Sequence, residues 1–370
     1  MKIGIITFQS SYNYGSVLQA FALSRAISKL GHSVEIINYT NTCDFRTYHL
    51  FRIHLYKNFH KAFFKDVLYL KSNIKRKKNF IRFNKDFLPL TSKIYNEFSD
   101  MSELNSEFDA FICGSDQIWN CCFDGKIDKN FCLDFVENDK LKIAYAPSFG
   151  TRGKTDDVLN QFKKYLFSFD AVSVREKVSV PVVSKLAPDR INVQSVFDPT
   201  LLLDKDEYNV FISDKSTIND RYVFVYLLGH YKHASRLIQY TLDIAKSMNL
   251  KIVYISAYKI SEFNKGIAKY GISPQEFLNL IYYADYVVSD SFHATVFSII
   301  FEKQFMIFPP NPGLDIRIKP FLNMLGLENR ADAKELLNDE NIDFNSVNEI
   351  IEKGKKESID YLKNSLSIKK

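Results

Sequence analysis

MKIGIITFQSSYNYGSVLQAFALSRAISKLGHSVEIINY, Met1–Tyr39, decides the fold class. The apolar run Ile3–Phe8 gives way to polar Gln9, Ser10 and Ser11, which predicts a first buried strand. Val17, Leu18, Phe21, Leu23, Ile27 and Leu30 then recur at helical spacing. Gly31 supplies a stop, so Gly15–Leu30 is expected to be a helix. Val34–Tyr39 reads as the next strand. A strand, a helix and a strand of these lengths form a right-handed crossover between parallel strands.

The alternation continues outward from that unit. Phe108–Cys113, Lys142–Tyr145, Ala171–Val174 and Val193–Phe197 are expected strands. The polar, turn-rich stretch Asp204–Asp220 reads as a domain boundary. Beyond it, strands are expected at Tyr222–Leu228, Lys251–Ile255, Tyr286–Ser289 and Phe305–Phe308. Helices are expected at Ser235–Met248, Pro274–Ala284 and His293–Phe301. The fold class is therefore α/β, with two Rossmann-like domains facing across a cleft. The expected division is 1–203, with a basic helical insertion at about 45–98, then 204–345, then a C-terminal helix within 346–370.

Bulk properties narrow the function classes. The chain has 370 residues, 46% apolar and 25% charged, enough for two cores and against disorder. The N-terminal apolar stretch is too short for a signal-peptide core, and no apolar run approaches the ~18 residues of a membrane span. A cytoplasmic protein is expected. Five cysteines, Cys43, Cys113, Cys121, Cys122 and Cys132, lack a Cys-x-x-Cys pair, which reads as reduced structural thiols and argues against zinc. The net charge of +6 is uneven: Phe45–Phe98 holds thirteen Lys/Arg against three Asp/Glu. Its densest part is Lys75-Arg76-Lys77-Lys78, preceded by Phe59, Phe63, Phe64 and Tyr69. This segment reads as a solvated helical face or as a surface for anionic lipid or glycan; no nucleic-acid module accompanies it.

Polar clusters fall at the carboxyl ends of the expected strands, where open parallel sheets bind ligands. They are Gln9–Ser16, Gly114–Asn120, Ala146–Gly150, Arg175-Glu176, Asp198–Thr200 and Ser289–His293. One such cluster alone is ordinary N-cap chemistry; six drawn from both halves point to a site. Tyr12-Asn13-Tyr14-Gly15-Ser16 opens a helix whose free N–H groups suit an anion or sugar oxygens, yet it is neither a dinucleotide fingerprint nor a Walker loop. Asp204-Lys205-Asp206 has a metal-binding form but lies in the boundary and is expected to be exposed. His230, His233 and His293 lack metal-ligand spacing, and no metal is expected; His32, His49, His54 and His60 are expected on the surface. His293, one turn into a helix, is either a core histidine bonded to a carbonyl or a proton-transfer group whose ring Asp290 orients.

Taken together, YNYGSVLQAFAL (Tyr12–Leu23), FDAFICGSDQIWN (Phe108–Asn120), YAPSFG, SVRE, DPTLLL and ADYVVSDSFHATVFSIIFEKQF (Ala284–Phe305) resemble the polysaccharide pyruvyl transferase family. The resemblance runs from about residue 3 to about 330. It implies a GT-B-like fold and an enzyme that moves pyruvate from phosphoenolpyruvate onto two sugar hydroxyls as a ketal, in capsule or exopolysaccharide synthesis. Phosphoenolpyruvate is then a co-substrate, and no cofactor is expected. By this resemblance His293 and Asp116 are catalytic candidates, and Arg175, Arg317, Ser289 and Ser291 hold the donor, with Arg330 a further cation. Asn13, Ser16, Gln117 and Trp119 hold the acceptor, Trp119 by stacking on a sugar face. Many related sequences carry Arg-Leu-His or Arg-Phe-His where this chain has Ser291-Phe292-His293, so the anion must be held by other cations such as Arg175 or Arg317.

Expected partners are a sugar or lipid-linked oligosaccharide acceptor, with peripheral membrane contact through the basic insertion and no nucleic acid. Two other functions fit the same scaffold: a nucleotide-sugar-dependent GT-B glycosyltransferase, and a non-catalytic glycan-binding protein at the membrane surface.

Overall fold

The computed structural model describes residues 1–41, 67–120, 125–150, 156–229, 234–257, 259–310, 315–335 and 341–370. Cys43, Cys121, Cys122, His49, His54, His60, His230, His233, Phe59, Phe63 and Phe64 lie outside them. The chain divides into two compact units, one of Met1–Leu203 with Lys353–Lys370, the other of Asp204–Glu352.

The first unit runs β1 (Lys2–Ile6), α1 (Tyr14–Lys29), β2 (Ser33–Thr40), α2 (Leu70–Phe87), β3 (Leu90–Asn96), α3 (Leu104–Glu107) and β4 (Ala110–Cys113). It continues with β5 (Leu141–Ala144), α4 (Asp156–Leu166), β6 (Ala171–Val174), α5 (Val180–Leu186) and β7 (Gln194–Ser195). Among the described residues the sheet order is β3-β2-β1-β4-β5-β6-β7, every pair parallel. All four residues of β4 and of β5 are buried, as expected when helices cover both faces of a parallel sheet. Phe111 and Cys113 share one core with Phe162, Leu166, Phe169 and Val183. Cys113 and Cys132 are buried free thiols, and burial pushes both of their pKa values up.

Two features differ from the sequence reading. The basic segment is not helical to its end: it closes in edge strand β3 beside β2. Only Thr91 and Tyr95 of that strand are buried, so it carries no apolar run to betray it. Trp119 offers no face to a sugar. It is fully buried, its indole N–H donates to the Phe131 carbonyl at 3.3 Å, and its ring meets Phe162 at 4.9 Å and Phe149 at 5.5 Å. A lone tryptophan in a polar motif resembles a stacking platform, but here its area is used as core.

The second unit runs β8 (Tyr222–Leu227), α6 (Ser235–Ser247), β9 (Lys251–Ser256), β10 (Ile267–Ala268), α7 (Pro274–Tyr282), β11 (Tyr286–Ser289), α8 (Phe292–Ile300), β12 (Phe305–Ile307) and α9 (Ile318–Met324). Its described sheet is again all parallel, in the order β10-β9-β8-β11-β12. The boundary segment is an ordered 3-10 turn, Lys205–Phe211, with a capping box between Asp204 and Glu207. Tyr208 and Phe211 anchor it in the core, while Asp204 and Asp206 stay exposed. In both sheets the order reverses beside the first strand, at β1/β4 and at β8/β11. Such switch points leave a crevice at the carboxyl ends of the strands.

The last helix, α10 (Phe344–Leu366), returns the chain to the first unit. There the Tyr361 hydroxyl donates to the Ala144 carbonyl at 2.9 Å, and the Phe197 N–H donates to Ser358 Oγ at 2.9 Å. A Cβ on Gly354 would stand 2.2 Å from the Phe197 ring. In an open helix Gly→Ala stabilises by about 1 kcal/mol. Here Gly354→Ala is expected to destabilise by about 1–3 kcal/mol, because the ring and helix must part. Urea unfolding checks the sign.

Candidate active site

In the first unit the polar ends of β1, β4, β6 and β7 meet in one buried network. Asn13 caps α1 by accepting the Gly15 N–H at 3.0 Å, which points Ser16 inward from the first turn. The Ser16 hydroxyl donates to Asp116 Oδ2 at 2.5 Å, bridging the β1/β4 switch point. Asp116 sits at φ +69°, in the left-handed region, and its Oδ1 accepts the Gln117 N–H at 2.9 Å. Asp and Asn tolerate that conformation better than most side chains. Gly114 just before it is needed for contact, since a Cβ there would stand 2.9 Å from Thr7 Cβ. Gln19 holds Thr7 Oγ1 at 2.8 Å, and Thr7 in turn donates to the Ser115 carbonyl at 3.1 Å.

Arg175, just after β6, is the hub. Its Nε donates to Glu176 at 3.0 Å and its Nη1 to Asp198 at 2.9 Å; Asp116 Oδ1 lies 3.9 Å away. All four side chains are nearly inaccessible. Burial pulls the guanidinium pKa down, but Glu176, Asp198 and Asp116 outweigh it and hold the group cationic above its ordinary value. Asp198 also accepts from Ser115 Oγ at 3.1 Å and from Thr200 Oγ1 at 2.8 Å. Three carboxylates around one guanidinium make this cluster net negative. The expectation that Arg175 holds an anionic donor is corrected accordingly, because its charge is already matched. The arrangement suits hydroxyl groups, which can donate to carboxylates. Asn13 and Gln117 stay half-buried beside it, Gln117 Oε1 accepting from Asn120 at 3.2 Å.

In the second unit α8 is buried on every side through Ile299. Its sequence shows why: apolar residues surround the axis, while Thr295 and Ser298 return their hydroxyls to the carbonyls four residues back, at 2.9 and 2.7 Å. Ser291 is the N-cap, accepting the Ala294 N–H at 3.4 Å. His293 lies in that first turn, 9% exposed, its ring edge-on to Phe292. Phe292 meets Phe321 of α9 at 5.6 Å, and Arg317 precedes α9 one turn before Phe321, half-buried. His293 and Arg317 thus belong to neighbouring helix starts. Arg330 is buried beside the Tyr286 hydroxyl instead.

Two expectations for this turn are corrected. Asp290 does not orient the imidazole: its Oδ1 accepts the Leu228 N–H at 2.8 Å and its Oδ2 the Gly229 N–H at 2.6 Å. It closes the β8/β11 switch point, and a Cβ on Gly229 would stand 2.7 Å from Oδ2. Ser289 is likewise engaged, donating to the Tyr226 carbonyl at 2.6 Å and accepting the Ser291 N–H at 3.1 Å, so it is not available as a donor contact. Sequence reasoning passed over Glu176 and Asp198 as individual groups. Their signal was position after a strand, shared with every other polar cluster. Among the described residues no group of three His, Cys, Asp or Glu is arranged to hold a metal.

A family model described as polysaccharide pyruvyl transferase matches residues 13–312. The chain belongs to the polysaccharide pyruvyl transferase family. The matched span includes every site residue from Asn13 to His293; Arg317 lies beyond it. A comparison with curated proteins finds no match. Among solved structures, UDP-GlcNAc 2-epimerase from Methanocaldococcus jannaschii is 13% identical, with a TM-score of 0.52 over 95% of this chain and 92% of that one. UDP-GlcNAc 2-epimerase from Neisseria meningitidis, bound to UDP-GlcNAc, is 9% identical, with a TM-score of 0.51 over 99% of each chain. These likenesses support the fold: α/β, two parallel sheets, GT-B-like.

Two outcomes follow from the charges. Replacing Arg175 with Met leaves three carboxylates without their cation and should cost about 3–5 kcal/mol in urea unfolding. A cost below 1 kcal/mol would mean the network relaxes freely. Asp290 has its pKa pushed up to about 6 by burial, against the opposing pull of the Leu228 and Gly229 amides. Because this folded pKa exceeds the unfolded value, its contribution is full below about pH 4 and is lost as pH rises through 6. Relative to Asp290→Asn, the wild type should therefore gain up to about 3 kcal/mol between pH 7 and pH 4. A difference that stays flat with pH would refute the shift.

Proposed function

We propose that the protein transfers the pyruvyl group of phosphoenolpyruvate to two hydroxyls of one sugar, forming a cyclic ketal during capsule or exopolysaccharide synthesis in the cytoplasm. In that reaction the methylene carbon gains a proton, both sugar oxygens bond to C2, and the C2–O bond to phosphate breaks. One hydroxyl proton balances the new C–H bond and the other leaves with phosphate or solvent.

The acceptor is assigned to the first unit. Its carboxylate-rich cluster repels an anionic donor and welcomes hydroxyls, with Asp116 and Ser16 receiving a sugar hydroxyl and Asn13 and Gln117 positioning the ring. The donor is assigned to the second unit, where Ser291 and the first-turn amides of α8 favour negative charge and Arg317 adds a cation. His293 is the proton donor to the methylene carbon. The observation that carries this reading is the family match, whose span takes in both Asn13 and His293.

The fold shared with a protein bound to UDP-GlcNAc keeps a nucleotide-sugar donor as the competing reading. The test separates them. Phosphate release from phosphoenolpyruvate should require an oligosaccharide acceptor and fall at least about 100-fold in His293→Ala, while that variant keeps a native circular dichroism spectrum at the assay temperature. A protein stabilised by UDP and indifferent to phosphoenolpyruvate would overturn the proposal.

A further inference from the structure

α2 is the most cationic element described, with seven Lys/Arg against Asp86 alone. Its residues sort cleanly by face. Phe80 and Phe83 are fully buried on the inner side. The outer side carries Lys71, Lys75, Lys77, Lys78, Arg82 and Lys85, all exposed, of which Arg82 pairs with Asp86 at 3.5 Å. At about 100° per residue these cations fall within an arc of roughly 160°. In the middle of that arc stand Ile74 and Ile81, seven residues apart, 36% and 52% exposed. Lys71, Lys78 and Lys85, also seven apart, run alongside them, with Lys77 on the other flank. Val67 and Leu68, just ahead of α2, are exposed as well, at 46% and 76%. Single exposed aliphatic side chains are ordinary on a soluble surface, but here two share one line with the lysines of the same face, and Val67 and Leu68 extend the exposed apolar surface at its start. A polyanion in solution would match the lysines and leave the isoleucines in water. A bilayer with anionic headgroups matches both, since aliphatic groups enter the headgroup boundary while the lysine stems reach phosphate.

The inner side of α2 rests on the Gln9–Tyr14 segment that leads through the Asn13 cap into the first turn of α1, where Ser16 sits. Phe80 meets Tyr12 at 5.8 Å and Tyr14 at 5.2 Å. The Arg76 guanidinium donates to the Tyr12 carbonyl, and Asn84 donates to the Gln9 carbonyl at 2.7 Å. We infer that the outer face of α2 docks on an anionic membrane surface and that the acceptor sugar reaches Asn13 and Ser16, at the start of α1, while attached to a membrane lipid. The second half of this inference rests on the reading that the first unit takes the acceptor; the docking does not.

The test is sedimentation with vesicles of phosphatidylglycerol mixed into phosphatidylcholine, compared with phosphatidylcholine alone. Binding should require phosphatidylglycerol and weaken with salt. Lys71→Glu, Lys78→Glu and Lys85→Glu together should weaken it more than about tenfold. Ile74→Ser with Ile81→Ser should also weaken it several-fold, with charge untouched. All these positions are exposed, so melting midpoints should stay near wild type. Full vesicle binding by the isoleucine variant, or equal capture of the wild type by heparin and vesicles, would show a polyanion surface and overturn the membrane assignment. On bound protein, amide exchange should slow at both α2 and Gln9–Ser16; slowing in α2 alone would overturn the link to the start of α1. A chain that binds vesicles and ignores phosphoenolpyruvate keeps the surface and loses the reaction. Turnover without vesicle binding does the reverse.

Discussion

One aspartate closes each sheet where its strand order reverses. At β1/β4 the side chain of Asp116 receives the Ser16 hydroxyl; at β8/β11 that of Asp290 receives two main-chain amides. A carboxylate suits that place. Neighbouring crossovers leave the switch point in opposite directions, and the strand ends between them have main-chain and side-chain donors with no ladder partner. A carboxylate with several acceptor positions can satisfy more than one of them. Gly229 then follows as a consequence, because the approach of Asp290 leaves no room for a Cβ, while Gly114 is required by the close packing of Thr7 beside the other switch point.

The two closures differ in charge environment, and this difference separates their chemistry. Asp116 shares Arg175 with Glu176 and Asp198, so the first unit gathers carboxylates around a single cation. Asp290 is surrounded by main chain and apolar groups, and burial raises its pKa until it titrates near neutrality. One environment retains negative charge and favours hydroxyl ligands. The other disfavours added negative charge on its own carboxyl while presenting a helix start and His293.

Much of the fold was legible in the chain. Buried parallel strands are short apolar runs, and each ends where polar residues begin, so β1, β4, β6, β8 and β11 fell within two residues of their expected positions. Edge strand β3 was not legible, because a strand with two buried residues has no run to recognise. Of the site, the polar positions at the strand ends were legible as a set, while individual roles were not. Trp119, Arg175 and Ser289 looked available for a ligand, and Asp290 for the His293 ring; each is engaged elsewhere in the protein.

By itself, the sequence determined the α/β class, the parallel order implied by alternating strands and helices, the family, and which strand ends carry polar chemistry. These depend on periodicity and on residue type, and both are local properties. Only the tertiary structure decided which polar groups satisfy one another. A hydrogen bond such as Ser16–Asp116 or Phe197–Ser358 joins residues about a hundred or more positions apart, and no local pattern records the pairing. For the same reason the sequence could show that α2 is basic, but not that its other face is bolted to Tyr12 and Tyr14 at the start of α1.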